Sequence, residues 1–159
     1  MNILITGSRN ASKGMICYAR RCVQRALEKG YIVIVGDAPG IDQAVIETAD
    51  ELGVKLEVFG AYKKLRNKSS RPGCNRLYDG NYTQRDNAMI ELVGTVINIW
   101  NCTSNGTKRN HQHALARGKA SHLIQFPSNE MLMAEVQTLD VTRPDRYAAA
   151  DVELYRCES

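Results

Sequence analysis

Five short apolar segments, separated by stretches of helical period, constrain this 159-residue chain more than any other feature. They are Asn2-Ile3-Leu4-Ile5-Thr6, Tyr31-Ile32-Val33-Ile34-Val35, Lys55-Leu56-Glu57-Val58-Phe59, Thr95-Val96-Ile97-Asn98-Ile99-Trp100 and His122-Leu123-Ile124-Gln125-Phe126. Several are β-branched and nearly continuous in apolar character, as expected of strands covered on both faces. Between the first two, Met15, Ala19, Cys22, Val23, Ala26 and Leu27 share one stripe, with Arg20, Arg21, Gln24 and Arg25 off it. Ser12 stands where an N-cap belongs and Gly30 where a helix stops. Residues 41–52 repeat the pattern and end at Gly53, while residues 82–93 and 107–118 predict a third and a fourth helix. Regular alternation of strand and helix implies right-handed crossovers and a parallel sheet. The expectation is a Rossmann-like three-layer α/β domain over residues 1–127, with a sheet of about five strands. Residues 128–159 extend it as a helix or hairpin, with an apolar cluster (Met131, Leu132, Met133), a break at Pro144 and a candidate strand near 152–155.

The length suits one domain with a substantial core. A net charge of +4 is compatible with an anionic ligand and does not point to nucleic acid. Cys17, Cys22, Cys74, Cys102 and Cys157 form no CxxC pair, which argues against a disulfide framework and a structural zinc site. The N-terminus has no basic leader region, and no stretch nears the roughly 20 apolar residues of a membrane span. A cytoplasmic protein without membrane contact is the expectation. Residues 60–81 form a long connection carrying Lys63, Lys64, Arg66, Lys68, Arg71 and Arg76, with no acidic residue before Asp79. Connections of that length in a compact domain are usually functional or disordered.

In an open parallel sheet, ligands bind beyond the carboxyl ends of the strands. The first strand ends in Thr6-Gly7-Ser8-Arg9, the second in Gly36-Asp37-Ala38-Pro39-Gly40-Ile41-Asp42, and the fourth in Asn101-Cys102-Thr103-Ser104-Asn105-Gly106-Thr107. Glycine lets backbone approach a phosphate, and free amides at a helix start hold the anion with the help of the helix dipole. Serine and threonine hydroxyls add donors, and Arg9 offers a bidentate guanidinium. Each loop alone reads equally well as turn chemistry, and Asp42 reads as support for its helix. Three such loops at one sheet edge favour a ligand site. None is a GxGxxG or Walker A loop, which argues against a standard dinucleotide fold or a P-loop NTPase.

ILITGSR at the first strand, GDAPGID at the second, QRDNAMI at the third helix and NGT after the fourth strand together resemble the SLOG superfamily across residues 2–126. That superfamily includes YspA-like and YpsA-like proteins, DprA and the LOG phosphoribohydrolases. The chain closely resembles the small YspA-like branch, whose second loop has the form Gly-Gly-x-x-Gly-x-Asp; here Asp37 replaces the second glycine. The resemblance implies a Rossmann-like sheet and a nucleotide-type ligand. It implies Gly7, Ser8 and Arg9 as contacts from the first strand, and Gly36, Gly40 and Asp42 as the second loop, with Asp37 between them. It further implies Arg85 and Asn87 at the third helix, and Ser104, Asn105, Gly106 and Thr107 as a phosphate cradle. From the residues alone, Arg85 and Asn87 read equally as a helix-surface pair.

The hydrolase members carry Pro-Gly-Gly-x-Gly-Thr-x-x-Glu, whose glutamate serves N-glycosidic cleavage. Here Gly106-Thr107-Lys108-Arg109-Asn110 puts Asn110 in that place. An amide neither takes up the proton nor stabilises an oxocarbenium ion by charge. Asp37, Asp86 or Glu91 could substitute, and nothing in the sequence selects one. His111 and His113, two apart on a helix, diverge and make a poor metal chelate. Trp100 reads either as a stacking surface for a base or as core. The expected function is therefore a sensor or sequestering protein for a nucleotide-derived phosphate such as ADP-ribose, an NAD fragment or a cyclic nucleotide. It requires no metal and no further cofactor. The alternatives are an N-glycosidase with a relocated carboxylate, and a DprA-like nucleic-acid binder using the basic 63–76 loop, which lacks interleaved aromatics. A homo-oligomer that pairs two clefts is the expected assembly.

Overall fold

The computed structural model describes residues 1–137; the Pro144 break and the candidate strand near 152–155 lie outside them. In chain order the elements are β1 (Asn2–Gly7), α1 (Lys13–Lys29), β2 (Ile32–Val35), α2 (Ile41–Leu52), β3 (Leu56–Gly60) and β4 (Asn75–Leu77). They continue with α3 (Tyr82–Glu91), β5 (Thr95–Trp100), α4 (Asn105–Ala116), β6 (Ala120–Gln125) and α5 (Asn129–Gln137). The strands form one parallel sheet in the order β4-β3-β2-β1-β5-β6.

The apolar runs of β1 and β2 are buried on both faces. Ile3 and Ile5 pack with Met15, Ala19 and Val23 of α1 and Val45 and Ala49 of α2. Leu4 points the other way, onto Met89 and Ile90 of α3 and Ala114 of α4. This two-sided cover is why β1 and β2 lack the polar–apolar alternation of a half-exposed strand. The signals at the helix ends act as expected. The Ser12 hydroxyl accepts from the Met15 amide at 3.3 Å, and Gly30 and Gly53 close α1 and α2 in the left-handed conformation. Asn81 and Gln84 make a reciprocal capping box at α3.

Two features differ from the sequence reading. The sheet has six strands rather than about five, because Asn75–Leu77 in the basic connection pairs with β3. Those residues are half-buried or exposed, so their pairing is a backbone property that leaves no apolar run. The connection is also folded back firmly: Asp50 accepts from the Ser69 hydroxyl (2.6 Å), the Ser70 amide (2.7 Å) and Arg71 Nε (3.0 Å). Burial works against the charged Asp50 carboxylate, but these donors outweigh it and hold its pKa below the ordinary range. Cys22, Cys74 and Cys102 are free.

Gly40, at φ 81°, sits so close to β1's loop that a Cβ would lie 2.1 Å from the Arg9 carbonyl oxygen. Gly30 has a similar φ of 69° but open space around it. Gly40→Ala is expected to cost at least about 3 kcal/mol, and Gly30→Ala about 1–2 kcal/mol. Urea denaturation of the two variants checks the difference.

Candidate functional site

Strand order reverses between β1 and β5, so a crevice opens beyond their carboxyl ends. A cleft of about 410 Å³ occupies it, a volume in the range of small-molecule sites. The loop after β1, the β5–α4 loop with the first turn of α4, and the start of α3 make its walls.

Gly7 allows the two central strands to converge there. A Cβ at this position would lie 2.5 Å from the Ile99 carbonyl oxygen and 2.7 Å from Ile41 Cγ1. The next residue, Ser8, donates its amide to Ile99 (3.0 Å) and shares a 2.7 Å hydrogen bond between its hydroxyl and that of Ser104. Ser104 Oγ in turn donates to Thr107 Oγ1 at 3.0 Å. The Asn101 side chain organises the loop, accepting from the amides of Thr103 (3.0 Å) and Ser104 (2.9 Å). Ser104 occupies the N-cap position of α4, yet its hydroxyl makes no cap bond. Among the described residues the first-turn amides of α4 therefore have no side-chain partner, and the positive end of the helix dipole faces the cleft. Arg9 and Arg109 line the rim, and neither forms an ion pair among the described residues.

Beneath this lies a buried charge network. Arg85, 4% exposed, donates Nη1 to Asp37 Oδ1 (2.7 Å) and to the Phe59 carbonyl (2.9 Å), and Nε to Asp86 Oδ1 (2.8 Å). Arg66 meets Asp37 with its backbone amide (2.8 Å) and Nη2 (2.8 Å), and its guanidinium lies 4.2 Å from the centre of the Tyr82 ring. Burial opposes ionisation of Asp37, but the hydrogen bonds from Arg66 and Arg85 outweigh it and hold its carboxyl below the ordinary carboxylate range. Asp42 is different. Its Oδ2 accepts from the Ala38 amide at 3.1 Å, while Oδ1 is buried without a partner. Burial pushes its pKa up to about 7, against the pull of Arg85.

The structure brings Gly7, Ser8, Arg9, Asp42, Arg85, Ser104, Gly106 and Thr107 to the cleft wall. Gly36, Asp37, Gly40, Asn87 and Asn105 do not line it. Gly36 and Gly40 shape the second loop; a Cβ on Gly36 would lie 2.7 Å from Asp42 Oδ2. Asp37 anchors the two arginines, Asn87 is half-buried on α3 and Asn105 is exposed. Arg66, Tyr82, Asp86 and Arg109 also line the cleft. The basic connection hinted at Arg66, but nothing marked Tyr82. Asn110 lies on the wall and donates to Asp86 Oδ2 at 3.1 Å, whereas Glu91 is exposed and paired with Arg117. Trp100 supports the loop by donating Nε1 to the Ser104 carbonyl (2.8 Å) and does not line the cleft. His111 bonds Ser121 Oγ, and no metal-binding cluster occurs among the described residues. In the basic connection, Lys63, Arg66, Arg71 and Arg76 are each paired with an acidic residue.

Asp42 makes stability pH-dependent. Its folded pKa of about 7 lies above its ordinary value of 3.8, so the folded state binds the proton more tightly. The contribution is full below pH 4 and is lost as pH rises through 7. The stability of the wild type relative to Asp42→Asn is therefore expected to fall between pH 4 and 7 and then level off, as measured by urea denaturation at each pH.

No family model matches the chain, and no curated protein matches it. No helix among the described residues is long and apolar enough to cross a membrane. Solved structures do share its fold. The molybdenum cofactor binding protein of Rippkaea orientalis aligns over 94% of this chain and 83% of its own, at TM-score 0.66 and 17% identity. The molybdenum cofactor carrier protein of Chlamydomonas reinhardtii aligns over 77% of this chain and 74% of its own, at TM-score 0.62 and 18% identity. The DNA processing protein A (DprA) of Helicobacter pylori, a single-stranded DNA binder, aligns over 98% and 82%, at TM-score 0.61 and 14% identity. These likenesses establish a Rossmann-like fold of the kind expected from the SLOG resemblance.

Proposed function

We propose that the protein binds a nucleotide-type phosphate compound in the cleft between the β1 and β5 loops and holds it intact. The observation that carries this reading is the uncapped first turn of α4, set beside the linked hydroxyls of Ser8, Ser104 and Thr107. Backbone amides at a helix start, hydroxyl donors and a helix dipole form an anion site. The guanidiniums of Arg9 and Arg109 at the rim, which form no ion pair among the described residues, favour a ligand with negative charge. ADP-ribose, an NAD fragment or a cyclic nucleotide fits this description, and the resemblance of the sequence to the SLOG superfamily supports it. Asn110, at the place of the hydrolases' glutamate, favours holding over cutting.

A second reading is carriage of the molybdenum cofactor, supported by the two neighbours named for binding it. Nucleic-acid binding has less support, because most cations of the basic connection are already paired. Calorimetry with AMP, NAD, ADP-ribose, cyclic AMP and the molybdenum cofactor separates the first two readings. Chromatography of the incubated mixtures should return each ligand unchanged; release of free base or ribose phosphate at enzymatic rates would exclude a pure binder. Arg9→Ala and Ser104→Ala are each expected to weaken binding of the preferred ligand by about tenfold, as lost hydrogen bonds to a charged group do.

A further inference from the structure

The cleft is not cationic throughout. Asp86 lines it from α3, with Oδ1 accepting from Arg85 Nε (2.8 Å) and Oδ2 from Asn110 Nδ2 (3.1 Å). One of these partners is on α3 and the other on α4, so the plane of the carboxylate is fixed from two elements. Each carboxylate oxygen has a second lone pair, and a carboxylate only accepts. Its charge repels a phosphate, so the phosphate must sit elsewhere. Asn110 is three residues beyond Thr107 and six beyond Ser104, or about 4.5 and 9 Å along the helix at 1.5 Å per residue. The wall thus carries an anion cradle at one end of this stretch and a braced acceptor at the other.

A ligand filling the cleft strips water from the free lone pairs of Asp86 and leaves them unpaired unless it brings donors. Those donors need no positive charge, because Arg85 and Arg66 already balance Asp37 and Asp86. Asp42 does not compete for the role: one oxygen is taken by the Ala38 amide and the other is closed off from solvent.

We propose that Asp86 is a specificity-determining residue that accepts hydrogen bonds from two adjacent, uncharged donors on the part of the ligand remote from its phosphate. Such a pair is a vicinal diol, as on ribose, or an amino–imino edge, as on guanine. The assignment rests on the phosphate-binding reading above, and ligands that differ only in these donors test it separately.

The experiment is calorimetry on the full chain with two matched pairs, AMP against 2′,3′-dideoxy-AMP and GMP against IMP, and with inorganic phosphate as a reference. The wild type is expected to prefer the donor-bearing member of at least one pair by about tenfold. Asp86→Asn, which keeps the shape but turns one acceptor into a donor and removes a repelling charge, should bring that preference within about threefold without weakening phosphate binding. Asp86→Glu, which displaces the charge by one methylene, should also lose it and serves where the Asn variant does not fold. Equal binding within both pairs by the wild type overturns the assignment, whatever the variants do. So does a preference that persists in a folded variant. If phosphate binds while neither pair discriminates, only the role of Asp86 falls; if neither phosphate nor any nucleotide binds, the phosphate-binding reading falls with it.

Discussion

Arg85 is the point on which the site depends. One buried guanidinium joins the loop after β2 through Asp37, the end of β3 through the Phe59 carbonyl, and its own helix through Asp86. A charge so deeply buried is tolerable only because these acceptors surround it, and taking one partner of such a pair away typically costs about 3–5 kcal/mol. The arrangement also requires a glycine at position 36, since a Cβ there would lie 3.1 Å from Arg85 Cζ and closer still to Asp42. Backbone, helix and charge are thereby locked together beneath the cleft.

Asp37 extends the lock outward. Its carboxylate captures Arg66 as well as Arg85. That capture draws part of the basic connection over the cleft, where Arg66 lies on the Tyr82 ring and Tyr62 meets the same ring edge-on at 5.4 Å. A segment that reads as a solvated cationic loop is in this way partly wall. Its cations are spent largely on Asp79, Asp37, Asp50 and Glu57 rather than displayed to a polyanion.

The elements that pack on both faces were legible because burial writes itself into the residues: the runs around Ile3–Ile5 and Val33–Val35 admit little but strands, and Ser12, Gly30 and Gly53 mark helix ends by local chemistry. The loops of the cleft were legible for a topological reason, since ligand sites of parallel sheets gather at strand ends. β4 was not, because a three-residue edge strand bonded through its backbone needs no apolar side chain. Nor was the charge network, whose partners lie 29 and 48 residues apart. Asp86 and Asn110 illustrate the difference: the sequence offers one as a spare carboxylate and the other in the place of the hydrolases' glutamate, and only the packing of α3 on α4 makes them a pair.

The hydroxyls of Ser8, Ser104 and Thr107 form a chain in which each group can give or take a proton. Rotating about three C–O bonds reverses the direction of the whole chain without moving a heavy atom. A row of fixed amides presents donors alone and prefers the most highly charged form of an anion. A reversible chain beside such amides can meet either a bare oxygen or a protonated one, so this wall accommodates either ionisation state of an anion placed against it.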